Sequence, residues 1–178
     1  MTAICIQYHK TKIGELILGS YSGKLCLLDF RYRKMRKAVD DRIKKGLSAD
    51  FIEEDSEIIE KTRLELDEYF QENRREFDLP MQMVGSDFQK SVWNALLKVP
   101  YGTTSTYLQL AKDINNEKAV RAVAGANGAN AMAIIIPCHR IIGSNGELVG
   151  YAGGLPTKKR LLMLEQKLEF YTQIPLPI

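Results

Sequence analysis

Three short runs of β-forming residues, A-I-C-I-Q-Y, E-L-I-L-G-S-Y and K-L-C-L-L-D-F, fill residues 3–30 with apolar positions that alternate or cluster. Turn residues at 12–14 and at Ser22-Gly23 separate them, which predicts three strands in an antiparallel meander. Cys5 and Cys26 fall inside these strands and read as packing residues rather than ligands. Further on the period lengthens. Ile59, Thr62, Leu66, Tyr69 and Phe70 recur on one side behind an Asp55 or Ser56 cap, predicting a helix to about Glu72 with nothing catalytic in it. The intervening R-Y-R-K-M-R-K-A-V-D-D-R-I-K-K (31–45) reads as a solvated connection or short helix, with a basic patch for DNA as the alternative. The charged N-R-R-E segment and Pro80 break the pattern and suggest a boundary near 78–86. The chain therefore divides into a small N-terminal α/β domain, 1–82, and a second domain, 83–178.

The second half opens on a capping box, Ser86-Asp87-Phe88-Gln89, before an apolar face of Phe88, Val92, Ala95, Leu96 and Val99 that Pro100 and Gly102 bring to an end. Residues 103–107 lead into a second helix through about Asp113, with Leu108 and Ala111 inward. Asn115-Asn116 turns the chain into a third helix, E-K-A-V-R-A-V-A-G-A, completing a helix-turn-helix outline. Around Arg121 stand Ala119, Val120 and Ala122, too small to read base edges but suited to close minor-groove approach with one long cation. An Ala-rich helix packed into a core would carry the same residues.

The stretch with chemistry in it is I-I-I-P-C-H-R-I-I-G-S-N-G-E-L-V-G-Y-A-G-G-L (134–155). Ile134 to Ile136 predict a short buried strand that Pro137 ends. Cys138, His139 and Arg140 follow at once, clamped before Ile141 and Ile142. Glycines then surround Tyr151 and allow close backbone approach to a ligand. Each residue also has a plain alternative: a buried thiol that only packs, a chance histidine, hairpin glycines around Ser144-Asn145-Gly146. Asn130, eight residues before Cys138, is placed to brace the turn, and Glu165 lies on a last helix, K-K-R-L-L-M-L-E-Q-K-L-E-F.

Composition narrows the class without deciding it. The chain has 178 residues, 45% hydrophobic and 26% charged, with no apolar run long enough for a membrane span. Its start lacks the layout of a secretory signal, and three dispersed cysteines indicate neither disulfides nor a zinc ribbon, so a reducing, cytoplasmic setting is expected. The net charge of +3 is small, but residues 1–83 hold 15 Lys/Arg against 16 Asp/Glu while residues 84–178 hold 10 against 6. The basic surplus sits with Cys138.

P-C-H-R (137–140), the preceding I-I-I, G-Y-A-G-G-L (150–155) and R-A-V-A-G (121–125) resemble the O6-alkylguanine-DNA alkyltransferases, also called methylated-DNA–protein-cysteine methyltransferases, in their stand-alone bacterial form. The resemblance covers about residues 86–166 in the family's order; the first half resembles the family's N-terminal domain in outline. It implies an α+β fold: a ribonuclease H-like N-terminal domain with an antiparallel sheet and one long helix, then a mostly helical, winged helix-turn-helix domain. It implies irreversible, single-turnover transfer of an alkyl group from O6 of guanine, less well from O4 of thymine, to Cys138. His139 would act through a water on the thiol and Glu165 would orient it. Asn130 would hold the turn, and Tyr107 would crowd the phosphate and hydrogen-bond the flipped base. Arg121 would replace that base in the duplex, on a helix whose Ala119, Val120 and Ala122 approach the groove. Val149, Gly150, Tyr151 and Ala152 would wall the base pocket. The implied partner is double-stranded DNA bearing O6-alkylguanine, met by a monomer without cofactor.

Two departures stand out. Asn130 is followed by Ala131 where the family usually has proline. The cysteines and histidines of the zinc site found in some vertebrate relatives are also incomplete here, since Cys5, Cys26 and His9 leave the set one short, so no metal is expected. A lesion-sensing DNA binder, a thiol hydrolase built on Cys138 and His139, and a structural fold with a buried thiol remain as alternatives. Relatives of the sensing kind lack the cysteine.

Overall fold

The computed structural model describes residues 2–166. Strands β1 (Ile4–Thr11), β2 (Gly14–Tyr21) and β3 (Lys24–Phe30) form the expected antiparallel meander. Ser22 (φ 48°) and Gly23 (φ 75°) make the β2–β3 connection a two-residue turn with two positive φ angles, the geometry whose twist matches the strands it joins. A two-residue strand, β4 (Phe51–Ile52), adds in parallel to β1, giving the order β3-β2-β1-β4.

The charged 31–45 segment contains a true helix, α1 (Arg36–Leu47). Val39, Ile43 and Leu47 recur at intervals of four, and this narrow stripe packs with Ile4, Ile6, Ile17 and Leu27 on one face of the sheet. Helix α2 (Glu57–Phe70) covers the other face. Its cap is Ser56, whose hydroxyl accepts from the Ile59 N–H at 3.2 Å, and Ile59, Leu66 and Tyr69 are buried as expected. The core on this side runs on from Leu16, Leu18 and Leu28 through Tyr69 to Trp93, Leu110, Val123, Ile136 and Leu161, so one apolar cluster spans both halves of the chain.

Helix α3 (Asp87–Leu96) begins at the predicted capping box, with Ser86 and Gln89 bonding reciprocally at 3.0 and 3.1 Å. Trp93 is buried as well and donates its indole N–H to the Ala126 carbonyl at 2.9 Å. Helix α4 (Tyr107–Asp113), a 3-10 turn (Glu117–Ala119) and helix α5 (Val120–Gly128) form the helix-turn-helix. The inner side of α4 is carried by Leu110 with Ala111, whereas Leu108 is 39% exposed. Tyr107, Leu110, Ala111 and Ile114 share one stripe at helical spacing, and Leu108 lies off it.

Ile134 to Ile136 are buried but form a turn, not a strand. The strand-like pairing falls earlier: Leu28 at the edge of the sheet donates to Ala131 and accepts from Ala133 at 2.8 and 2.7 Å, bridging Met132. Asn130 then captures backbone groups that a ladder would need. β-Branching here marked burial, and the side-chain hydrogen bonds decided conformation. Strands β5 (Ser105–Thr106) and β6 (Ile141–Ile142) pair in parallel, and α6 (Leu155–Gln166) closes the described chain. The expected continuation of that helix over 167–170, and the residues after it, lie outside the described residues. Among the described residues no helix is long and apolar enough to cross a membrane.

Candidate active site

The segment bearing Cys138 is a succession of tight turns fastened by one side chain. Ile135 N–H reaches the Ala133 carbonyl at 2.8 Å across Ile134, whose φ of 72° places a β-branched residue in the left-handed region. Cys138 N–H reaches the Ile136 carbonyl at 2.8 Å across Pro137 (φ −81°, ψ 61°), and the chain continues as a 3-10 turn, Cys138–Arg140. The Asn130 amide spans this arrangement: Nδ2 donates to the Ile136 carbonyl at 2.8 Å, and Oδ1 accepts from the Met132 N–H at 2.9 Å. Strain of this kind persists only where surrounding bonds over-determine it.

Two neighbours of Cys138 converge on one carboxylate. Glu165 Oε1 accepts from His139 Nε2 at 2.7 Å, from the Tyr69 hydroxyl at 2.7 Å and from Arg140 Nη2 at 2.9 Å; Oε2 accepts from Arg140 Nε at 2.8 Å. Arg140 Nη1 also donates to the Val99 carbonyl at 2.7 Å. Burial alone would raise the Glu165 carboxyl, but the hydrogen bonds that His139 and Arg140 donate, with the guanidinium charge, hold it at about 2. Burial lowers the affinity of His139 for a second proton despite Glu165, so its ring is neutral. With Nε2 as the donor to Glu165, Nδ1 is left as an acceptor, and it is buried without a hydrogen-bond partner. Burial pushes the Cys138 thiol up, against the Asn130 amide and the charge of Lys158, which pull it down.

Cys138 is 5% exposed, and its surface opens onto a cavity of about 500 Å³. Tyr107, Asn130, Gly150, Tyr151 and Ala152 line it, together with Asn127 of α5 and, from the first half of the chain, Arg33, Lys34 and Met35. Tyr151 and Asn127 are both lining residues, and their Oη and Oδ1 atoms are buried without hydrogen-bond partners. Phe30 packs edge-on against Tyr151 at 5.5 Å, and Gly153 is needed there because a Cβ would fall 2.6 Å from the Phe30 ring. Lys158, fully buried, fastens the glycine-rich loop by donating to the carbonyls of Ile141, Val149 and Gly150; burial brings its pKa down to about 8. The Tyr107 hydroxyl donates to the Val149 carbonyl at 3.0 Å.

The fold thus brings Cys138, His139, Asn130, Tyr107 and Glu165 together, with Gly150, Tyr151 and Ala152 around them. Val149 takes part through its carbonyl while its side chain is 43% exposed. Ala119 and Val120 are half-buried at the start of α5, and Arg121 and Ala122 are exposed outside the cavity lining. Val123, Ala126 and Asn127 form the buried side of α5, so its exposed small residues are a surface, not core packing. Tyr69, Arg140 and Lys158 were not assigned roles from sequence. Tyr69 read as a helix core position and Lys158 only as a residue of the last helix; Arg140, between His139 and an apolar pair, carried a local signal. Cys26 is buried in β3 with its thiol pushed up to about 12 by burial, an inert packing residue.

These features define a class: two-domain proteins that hold a sheltered cysteine beside a His–Glu pair and beneath a helix-turn-helix. Comparison with known proteins makes the class particular. Residues 4–83 match the ribonuclease-like domain of 6-O-methylguanine DNA methyltransferase, and residues 87–167 match the DNA binding domain of the same family. A methylated-DNA–protein-cysteine methyltransferase of Methanosarcina mazei is 45% identical over 162 residues, covering 89% of this chain and 96% of that protein. Another, of Haemophilus influenzae, is 38% identical over 93% of this chain and 88% of its own length. The crystal structure of Mycobacterium tuberculosis O6-methylguanine methyltransferase superposes with a TM-score of 0.77 at 34% identity, covering 94% of each chain. A structure of the M. tuberculosis protein in complex with DNA gives a TM-score of 0.78, covering 92% of this chain and 93% of that one. The chain belongs to the methylated-DNA–protein-cysteine methyltransferase family.

Proposed function

We propose that this protein repairs DNA by moving an alkyl group from O6 of guanine to Cys138, once per molecule. The observation that carries the reading is the placement of Cys138 on the wall of a cavity of about 500 Å³ that Tyr107, Asn127 and Tyr151 also line. That volume lies in the range of small-molecule sites and admits a purine. His139 Nδ1 takes the thiol proton through a water, and Glu165, fixed by Tyr69 and Arg140, holds the ring so that only Nδ1 can do so. Sγ then bonds to the alkyl carbon as the carbon–O6 bond breaks, and the bonding pair leaves with guanine. The proton held at His139 returns to the departing base, so thiol and alkylguanine become thioether and guanine. The Tyr107 hydroxyl turns from the Val149 carbonyl to donate to the base, and Lys158 keeps the loop of Val149, Gly150, Tyr151 and Ala152 closed around it. The thioether is a poor leaving group, so the reaction stops after one event.

In the same reading α5 lies in the minor groove, with Ala119, Val120 and Ala122 close to the backbone. The damaged nucleotide swings out into the cavity, and Arg121 fills the gap it leaves. Residues 83–178 form the alkyltransferase domain and residues 1–82 support it. The protein acts as a monomer in the cytoplasm on double-stranded DNA, with guanine preferred over O4-alkylthymine and without metal or cofactor.

Intact-mass measurement after incubation with a duplex containing O6-methylguanine should find one added methyl per protein, on Cys138, and none for Cys138→Ser. Multiple turnover would indicate a hydrolase instead, and tight binding without a mass change a sensor. For Arg121→Ala, methyl transfer from duplex should slow about tenfold or more while transfer from the free base holds, since unstacking costs a few kcal/mol. Equal slowing on both substrates would remove base extrusion from the role of Arg121.

A further inference from the structure

The end of α5 is held from the other half of the molecule. Gly128, Ala129 and Asn130 carry carbonyls at the C-terminal end of the helix, where the helix itself supplies no donors and has no basic residue in its last turn. Arg33 spans two of them, Nη2 donating to the Gly128 carbonyl at 2.6 Å and Nη1 to the Asn130 carbonyl at 3.4 Å. Arg42 takes the third, donating to the Ala129 carbonyl at 2.7 Å with its guanidinium 5.4 Å from the Trp93 ring centre. Cations at this end also oppose the negative pole of the helix dipole.

Arg33 is itself anchored. Asp29, fully buried at the end of β3, accepts from Arg33 and from Arg36 at 3.0 Å each and from the Phe30 N–H at 2.9 Å. Leu28, one residue earlier, makes the two backbone bonds that bridge Met132. A single strand end therefore fixes both the tail of α5 and the turn that leads to Cys138. The Arg33 side chain is 7% exposed, too enclosed to serve as a phosphate contact.

We propose that Arg33 and Arg42 are positioning residues: they form a bracket through which the N-terminal half sets the angle of the DNA-reading helix relative to the thiol. This rests on the alkyl-transfer reading above. The Arg42 arm governs delivery of the nucleotide more than the chemical step, because Arg42 reaches Ala129 from outside the cavity, whereas Arg33 also lines it.

The test compares methyl transfer from an O6-methylguanine duplex with transfer from free O6-methylguanine base for Arg42→Gln, Arg42→Lys and Arg33→Lys. A charge-assisted hydrogen bond is worth about tenfold in a rate that depends on it. Each variant should lose about that factor on duplex, and Arg42→Gln should match the wild-type rate on free base. Arg33→Lys keeps the charge and loses the fork, so it should fail to restore the duplex rate, with the salt dependence of DNA binding unchanged. Backbone amides of 128–133 should exchange faster with solvent in all three. Equal loss on both substrates in Arg42→Gln, an undiminished duplex rate, full recovery in Arg33→Lys, or a shallower salt slope would each overturn the bracket. If wild-type protein transfers no methyl group from the duplex, the failure lies with the alkyl-transfer reading instead.

Discussion

Arg140→Met should lower the free energy of unfolding at neutral pH by about 3–5 kcal/mol, the cost of stranding a buried charge by removing its partner. Methionine fills much of the arginine stem's space, so the loss comes from the ion pair rather than a cavity. Glu165 would keep Tyr69 and His139 but lose both bonds from the guanidinium, and Val99 would lose its donor. The acid side of the stability curve identifies the cause. Burial raises the Glu165 carboxyl, yet the hydrogen bonds from His139 and Arg140, with the guanidinium charge, hold it at about 2 against an ordinary 4.5. A depressed carboxyl contributes stability that is complete above the unfolded value and lost as pH falls through the folded one. Wild type and variant should therefore differ most above pH 4.5 and converge as the pH approaches 2, as read from urea midpoints across that window. Curves that stay parallel would exclude an electrostatic origin.

Asn130→Ala should abolish most methyl transfer, by about a hundredfold or more, and lower stability by about 2–4 kcal/mol. Alanine would leave the Ile136 carbonyl and the Met132 N–H without their side-chain partners inside a buried turn. It would also release Ile134 from its left-handed conformation and remove the amide that favours the Cys138 thiolate. Proline, the family's usual residue at 131, would have stiffened the chain here. With Ala131 in its place the amide and the edge of β3 hold the turn together. Asn130→Asp separates the parts of the effect, since it keeps the acceptor for Met132, loses the donor to Ile136 and adds a charge that opposes the thiolate. Its transfer rate should be no better than that of the alanine variant even if its stability recovers.

Much of this was legible in the sequence where one local rule governed. The meander followed from alternation and the turn at Ser22-Gly23; α2 and α3 followed from their caps. Cys138, His139 and the loop about Tyr151 followed from residue types clustered in a short window. The open and the mistaken readings share a cause. From residue 31 to 47 the charges outnumber the apolar stripe of Val39, Ile43 and Leu47, which left a short helix and a solvated connection both open where α1 forms. At 134–136 a contact with Leu28 and the Asn130 amide outweighed strand propensity. Lys158 escaped notice because a buried lysine is distinguished by the three carbonyls around its ammonium, and those come from 141–150 only after folding. Tyr69 was missed likewise: its hydroxyl meets Glu165 across 96 positions of sequence.

The shelter of Cys138 bears on how long the protein keeps before use. Peroxides and soft electrophiles attack thiolates, and a sulfur that is 5% exposed with its pKa pushed up by burial offers them little of that form. For a molecule that acts a single time, a readily ionised sulfur would be spent on bystanders before a lesion arrived. Keeping the proton in place until a base fills the cavity preserves the stock of competent protein, and the slowness of the idle thiol is part of its fitness for the task.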